Sequence, residues 1–279
     1  MPTHTSQFPV SIYDLDAWGA LRSNVLLRFL QQAASDASAA VGFDVDWYER
    51  NATLWVIRRT IVDYLAPAGY RDLLEVRTWV SDLRRVRSQR QYEVRRAGTA
   101  ALLARGSTDW VYVDLARGGV PARPPDEMLQ RLMPDVGARP RPARAAVEPP
   151  PHAVRTTRRV ELADLDSVAH VNNAHYAVYV EQAVCDALAA RGWGVDLLLR
   201  SARLRVQRHD LEYFAEAQYD DQLEAVVWTT AADAAGFGSE CTLLRAGRRL
   251  LHASSRWAWS AAELPTELRA AAAALAVSA

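Results

Sequence analysis

Apolar residues along this chain follow two rhythms. Val25, Leu26, Phe29, Leu30 and Ala33 recur at the spacing of one helical face, inside the stretch Ser11–Gly42. Gly42 is a natural stop for that helix. A second apolar helical pattern fills Ala177–Ala190. Elsewhere the period shortens towards two. Thr53–Tyr64, Asp72–Leu83, Gln89–Arg96 and Ala101–Val113 read as strands, and so do Arg203–Phe214, Gln222–Ala231, Gly238–Arg245 and Leu250–Ser260. All are rich in Val, Trp, Tyr, Thr and Leu and alternate in part. Each half therefore reads as a short strand, a helix and a run of strands. That order predicts an α+β layout, an antiparallel sheet with a helix on one face.

The two halves repeat each other. Asp164-Leu165-Asp166 matches Asp14-Leu15-Asp16 at an offset of 150 residues, 166 minus 16, and Gly192 matches Gly42 at the same offset. Tyr64-Leu65-Ala66, Tyr70 and Leu74-Glu75 match Tyr213-Phe214-Ala215, Tyr219 and Leu223-Glu224. Trp79 matches Trp228, Arg96-Ala97-Gly98 matches Arg245-Ala246-Gly247, and Trp110 and Tyr112 match Trp257 and Trp259. The offset drifts by a few residues, as loop insertions would make it. So many matches in register predict a duplicated domain. The expected units are 1–116 and 156–279, joined by an extended Pro- and Arg-rich linker over 117–155 with a short helix near Pro125–Met133. The last stretch, Thr266–Ala279, is Ala-rich and reads as a helical or frayed tail.

Composition narrows the classes of function. Thirty-three Lys and Arg balance thirty-three Asp and Glu. Bulk charge thus favours neither nucleic acid nor membrane. The first ten residues have neither a basic nor an apolar leader segment, and no apolar run is long enough to span a bilayer. Cys185 and Cys241 are the two cysteines, without a C-x-x-C, which fits a reducing cytoplasm and excludes a cysteine zinc site. The histidines show no H-x-x-x-H or H-E-x-x-H, so no metal is expected. A serine mechanism lacks its G-x-S-x-G elbow.

Candidate chemistry gathers at Asp164–Tyr176, which reads D-L-D-S-V-A-H-V-N-N-A-H-Y and runs into the second helix. An acidic turn, a histidine and a helix start suit hydrolysis of an activated acyl group. The helix start offers unpaired N–H groups to a carbonyl oxygen that gains charge. The backbone N–H groups near Asn172, Asn173 and Ala174 are the expected oxyanion donors. The plainer reading of Asn172 and Asn173 is a helix cap, and of Asp164 and Asp166 a turn. His175, one turn further, reads as surface. His209 and His252, in strands, read as packing or solvent-facing, and both cysteines as buried and inert.

These residues resemble the acyl-acyl carrier protein thioesterases, over nearly the whole chain. The D-L-D-x-x-x-H-V-N-N-x-x-Y run carries most of the resemblance. Leu211-Glu212-Tyr213 to Glu216 with Gln218–Asp221 adds to it. In the first half so do Leu30-Gln31-Gln32-Ala33, Val41-Gly42-Phe43, Trp55-Val56 with Pro67, and Arg123 to Glu127. The resemblance implies a double hotdog: two tandem units, each a long helix wrapped by an antiparallel sheet. It implies catalysis in the later unit, an acyl pocket in the earlier one, and Asp166, His170 and Glu216 as the catalytic residues. His170 or Glu216 would then be the base on water, with Asp166 orienting it. Two departures stand out. Val168 occupies the place of the family's usual asparagine, and Ala217 that of the cysteine some members carry after the glutamate. The first half keeps Asp16 but has Ala20 at the histidine position, so a second active site is not expected there.

The implied activity is hydrolysis of acyl thioesters on acyl carrier protein. Acyl-CoA or a polyketide-type acyl chain is an open alternative substrate. A hotdog dehydratase and a non-catalytic acyl-binding protein are the rivals. Arg84, Arg85, Arg87 and Arg90, part of a local basic cluster, would dock an acidic carrier, against the plainer reading of a solvated hairpin. Monomer and homodimer both remain open.

Overall fold

The computed structural model describes residues 3–132, 148–194, 203–233 and 235–259. The centre of the expected linker and the Ala-rich tail lie outside them. The chain divides into two compact units, Met1–Arg144 and Ala145–Ala279.

In the first unit, strand β1 (His4–Pro9) leads through a 3-10 turn at Ile12–Asp14 to helix α1 (Ser23–Ala39) and the short helix α2 (Val45–Arg50). Four long strands follow: β2 (Thr53–Tyr64), β3 (Leu73–Arg84), β4 (Arg87–Arg96) and β5 (Leu102–Asp114). The two-residue strand β6 (Val120–Pro121) and helix α3 (Asp126–Leu132) complete the unit. Strand order is β1-β3-β4-β5-β2, antiparallel throughout, with β6 on β5. Every strand expected from the alternating pattern is present, within two residues of its expected ends.

The apolar stripe of α1 drives its packing. Val25, Leu26, Leu30, Ala33 and Ala37 are buried, and the helix lies against β1 and β3. Gly106 on β5 makes close seating possible. A Cβ there would stand 3.3 Å from Leu30 Cδ1 and 3.1 Å from the Ile61 carbonyl oxygen. Burying a side chain such as Leu30 contributes about 1.5–3 kcal/mol. The α2 helix was not foreseen. Its signal is Asp44, whose side chain accepts the Trp47 N–H at 2.8 Å. The short helix expected inside the linker is α3, and it is part of the first unit's core. Met128 and Leu132 pack with Phe43, Val80 and Tyr112.

The second unit repeats the plan. Strand β7 (Val154–Arg159), a 3-10 turn at Leu162–Asp164 and helix α4 (His175–Ala189) precede β8 (Leu204–Tyr213), β9 (Gln222–Asp233), β10 (Gly236–Arg245) and β11 (Arg248–Trp259). Their order is β8-β11-β10-β9-β7, again antiparallel. Buried Tyr176, Tyr179, Val180, Ala183 and Val184 line one side of α4, which packs on β9, β7 and β10. Among the described residues, no helix is long and apolar enough to cross a membrane.

Candidate active site

The motif forms a compact loop between β7 and α4. The Glu161 N–H donates to Asp164 Oδ2 at 2.8 Å. Leu165 bridges Val171, and the Asp166 N–H donates to the His170 carbonyl at 2.9 Å. The Asp166 side chain accepts the Val168 N–H at 3.1 Å, the Asx-turn geometry of a residue that shapes its own loop. The first unit builds the same loop. There the Asp16 N–H donates to the Ala20 carbonyl at 2.7 Å, and Asp16 Oδ1 accepts the Trp18 and Ala20 N–H groups at 2.8 and 2.9 Å. Asp16 thus does the same turn-holding work beside no histidine. The turn-shaping contacts of this aspartate are present in both copies.

One position separates the loops. The first has Gly19 at φ +78°, and the second has Ala169 at φ +62° in the same place. Left-handed backbone is easy for glycine and costs an alanine about 1 kcal/mol. This strain sits directly before His170.

A second strand-end loop meets the first. His170 bridges Gln218, and the Val171 N–H donates to the Ala217 carbonyl at 3.0 Å. The Ala217 N–H donates to the buried Tyr176 hydroxyl at 2.8 Å. Ala217 is fully buried and bonded on both sides, so its neighbour Glu216 is held in register. The result is a pair: His170 Nδ1 lies 3.2 Å from Glu216 Oε2, with the two side chains 33% and 56% exposed. Glu216 follows the end of β8, in a loop rather than a strand. The structure therefore brings His170 and Glu216 together, whereas Asp166 Oδ1 accepts the Val168 N–H. In the first unit the corresponding positions are Ala20 and Pro67, neither of which can move a proton.

The expected oxyanion donors need correction. The Asn172 N–H already donates to the Asp164 carbonyl at 3.0 Å. The Ala174 N–H donates to Asn172 Oδ1 at 2.9 Å. Asn172 therefore closes its own short turn instead of capping α4 at a later N–H. Among the described residues, the Asn173 N–H has no partner. The Asn173 carbonyl, in the next peptide, accepts the Tyr213 hydroxyl at 3.0 Å. One N–H of the expected three remains for a substrate oxygen.

His175 also needs correction, because it is not a surface residue. It opens α4 with Nε2 2.7 Å from Asp164 Oδ1, and Asp164 is 4% exposed. Asp164 Oδ2 accepts the Tyr179 hydroxyl at 2.5 Å, and the Arg158 guanidinium lies over the Tyr179 ring. Burial holds His175 below the usual histidine value, outweighing the opposite pull of Asp164. Burial and Asp164 together push the Tyr179 hydroxyl far up. Sequence reasoning gave Asp164 only a turn-shaping role, and did not see it as the buried tie between the loop and α4.

The remaining candidates fall into place singly. His209 and His252 are buried, on Glu181 and Ser255 and on Thr242 and Glu240. Burial pushes the Cys241 thiol up to about 12 and the Cys185 thiol to about 11. Arg84, Arg85 and Arg87 are exposed at the β3–β4 hairpin. Arg90 is not with them. It is 7% exposed, on the inner face of β4, and cannot reach a docking protein. A pocket of about 290 Å³ bordered by Glu148, His152 and Trp228 contains none of the motif residues. Among the described residues, no group of three or more His, Cys, Asp or Glu could hold a metal ion.

Residues 2–132 match the family model of the acyl-ACP thioesterase N-terminal domain, and residues 160–263 match that of the thioesterase-like superfamily. The oleoyl-acyl carrier protein thioesterase 1 of Arabidopsis thaliana, a chloroplastic protein, is 22% identical over 247 residues. That alignment takes in 82% of this chain and 64% of the relative, so this chain spans less than two thirds of that protein's length. A Lactobacillus plantarum structure described as an oleoyl thioesterase superposes with a TM-score of 0.80 at 18% identity, covering 95% of this chain and 97% of that one. The 12:0-ACP thioesterase of Umbellularia californica gives 0.74 at 20% identity, covering 92% and 94%. At such identities the superpositions establish the fold, two hotdog units in one chain.

Proposed function

The chain belongs to the acyl-ACP thioesterase family, and from that premise we propose that it hydrolyses acyl thioesters carried on acyl carrier protein. The 3.2 Å contact of His170 with Glu216 carries the proposal. Glu216 beside Nδ1 favours the tautomer with its proton on that nitrogen, leaving Nε2 free to accept one from water. As the water oxygen attacks the thioester carbon, its proton moves to Nε2 and the carbonyl oxygen becomes an oxyanion. In this reading the Asn173 N–H donates to that charge. The carbon–sulfur bond then breaks, the imidazolium returns its proton to the leaving thiolate, and acid and thiol depart. Asp166 acts through the loop it holds. Positioned proton transfer of this kind is typically worth about 10²–10⁴ in rate. No cofactor enters any step.

The first unit, with Ala20 and Pro67 at the two key positions, is read as the acyl-binding half. The exposed Arg84, Arg85 and Arg87 form the docking face for the acidic carrier, speeding encounter by charge. Thiol release from acyl-carrier and acyl-CoA substrates of graded chain length tests the whole reading. Wild type should release thiol, and His170→Ala should lose about 10²–10⁴ of kcat. Charge reversal at the three arginines should lower kcat/KM on the carrier substrate alone. Acyl binding without thiol release from any substrate would make this a binding protein instead.

A further inference from the structure

The first unit buries a guanidinium and an indole N–H with only hydroxyl oxygens, and no carboxylate, around them. Strand β4 alternates, turning Ser88, Arg90, Tyr92 and Val94 inward. Thr78 and Val80 of β3 pair with Tyr92 and Arg90, and Thr108 and Trp110 of β5 pair with Arg90 and Ser88, so all lie on one face. Among the described residues, the Arg90 guanidinium makes one long hydrogen bond, to Thr78 Oγ1 at 3.4 Å. The groups acting on it are Tyr92 and Tyr48, with no carboxylate. The Tyr92 hydroxyl and the Trp110 indole N–H are likewise buried without a well-formed hydrogen bond; the groups that reach the Tyr92 hydroxyl are Thr108 and Trp110 themselves, and again no carboxylate. Guanidinium and indole can only donate. A buried cation left unpaired is among the costliest features a core can hold.

The second unit shows that the fold does not require this. Ser239 pairs with Ser255 as Arg90 pairs with Thr108, and Trp257 lies two residues on from Ser255 as Trp110 does from Thr108. There the Trp257 indole N–H donates to the Ser239 hydroxyl at 2.8 Å. Putting a guanidinium where that hydroxyl stands removes the acceptor and adds donors. The first unit thus leaves the Trp110 N–H only the Tyr92 hydroxyl and adds a guanidinium that no carboxylate balances. Next to Arg90, its pairing partner Val80 packs with Phe43, Tyr112 and Met128, with Trp47, Tyr48 and Trp55 around them. An apolar body with a few converging polar groups is the composition of a ligand site.

We propose that Arg90, Tyr92 and Trp110 form a subsite in the first unit for an oxygen atom carried on the acyl chain in addition to its thioester carbonyl. The inference rests on the thioesterase reading and names its substrate class: keto-, hydroxy- or carboxy-substituted acyl chains rather than plain hydrocarbon ones. Any such oxygen supplies a further acceptor, and a carboxylate also neutralises the guanidinium.

Calorimetric titration of the full chain with free acids of one length tests it, using plain, keto, hydroxy and dicarboxylic members. At least one oxygenated acid should bind about tenfold to a hundredfold more tightly than the plain acid, the range for a hydrogen bond to a charged donor. The identity of that acid names the group. Arg90→Met should abolish the preference and Trp110→Phe should reduce it. Melting temperature is measured alongside, because removing an unpaired buried charge should leave it unchanged or raise it. Equal binding of all acids by wild type overturns the subsite, and so does an Arg90→Met protein that melts lower yet keeps the preference. If plain acyl thioesters are still hydrolysed in either case, the thioesterase reading stands and this inference alone falls.

Discussion

Replacing Glu216 by Gln removes one charge from the His170 pair and keeps the side chain's size. In the proposed transition state Nε2 has gained a proton, so the imidazole carries a positive charge 3.2 Å from the Glu216 carboxylate. Coulomb's law gives that contact ~1.3 kcal/mol in water and ~5 kcal/mol at an effective dielectric of 20. With the side chains 33% and 56% exposed, the lower part of the range applies. A loss of about 1.3–2.5 kcal/mol corresponds to roughly tenfold to seventyfold in kcat. The assay is steady-state thiol release at saturating substrate for wild type, Glu216→Gln, His170→Ala and the double variant. Glu216 acts here through His170, so the double variant should be no slower than His170→Ala alone. Additive losses would mean two independent roles and would refute the pairing, as would full activity in His170→Ala.

Asp16→Ala removes the acceptor of two backbone N–H groups in the first unit. It should cost about 1–3 kcal/mol in denaturant unfolding with hydrolysis unchanged, and a drop in kcat at unchanged stability would contradict the turn-holding role. Ala169→Gly relieves the φ +62° backbone and should stabilise by about 1 kcal/mol, where a loss of stability would point to a packing role for the methyl group. His175 is held below the ordinary histidine value by burial, so the unfolded chain binds its proton more readily. Its contribution to stability is therefore complete above the unfolded value of about 6.5 and is lost as pH falls through it towards the folded value. His175→Gln should flatten that acid limb of the stability profile, and an unchanged limb would assign it to other groups.

The sequence alone determined the long strands, the two long helices and their duplication, because strand and helix periods are local and a repeated period survives divergence. It also marked His170 and Glu216 through the motif they belong to. The partner each side chain keeps was decided by the tertiary structure. Asp166 reads as catalytic; one of its carboxylate oxygens accepts the Val168 N–H, as its twin Asp16 accepts the Trp18 N–H beside Ala20. Asp164, Tyr179 and His175 are separated along the chain and meet only once α4 packs against the loop. Arg90 reads as one of a run of surface cations, although the alternation Ser88, Arg90, Tyr92, Val94 already put it on the inner face. That a buried cation lacks a carboxylate is a fact about space, and a one-dimensional string records which groups can bond but not which of them arrive within reach.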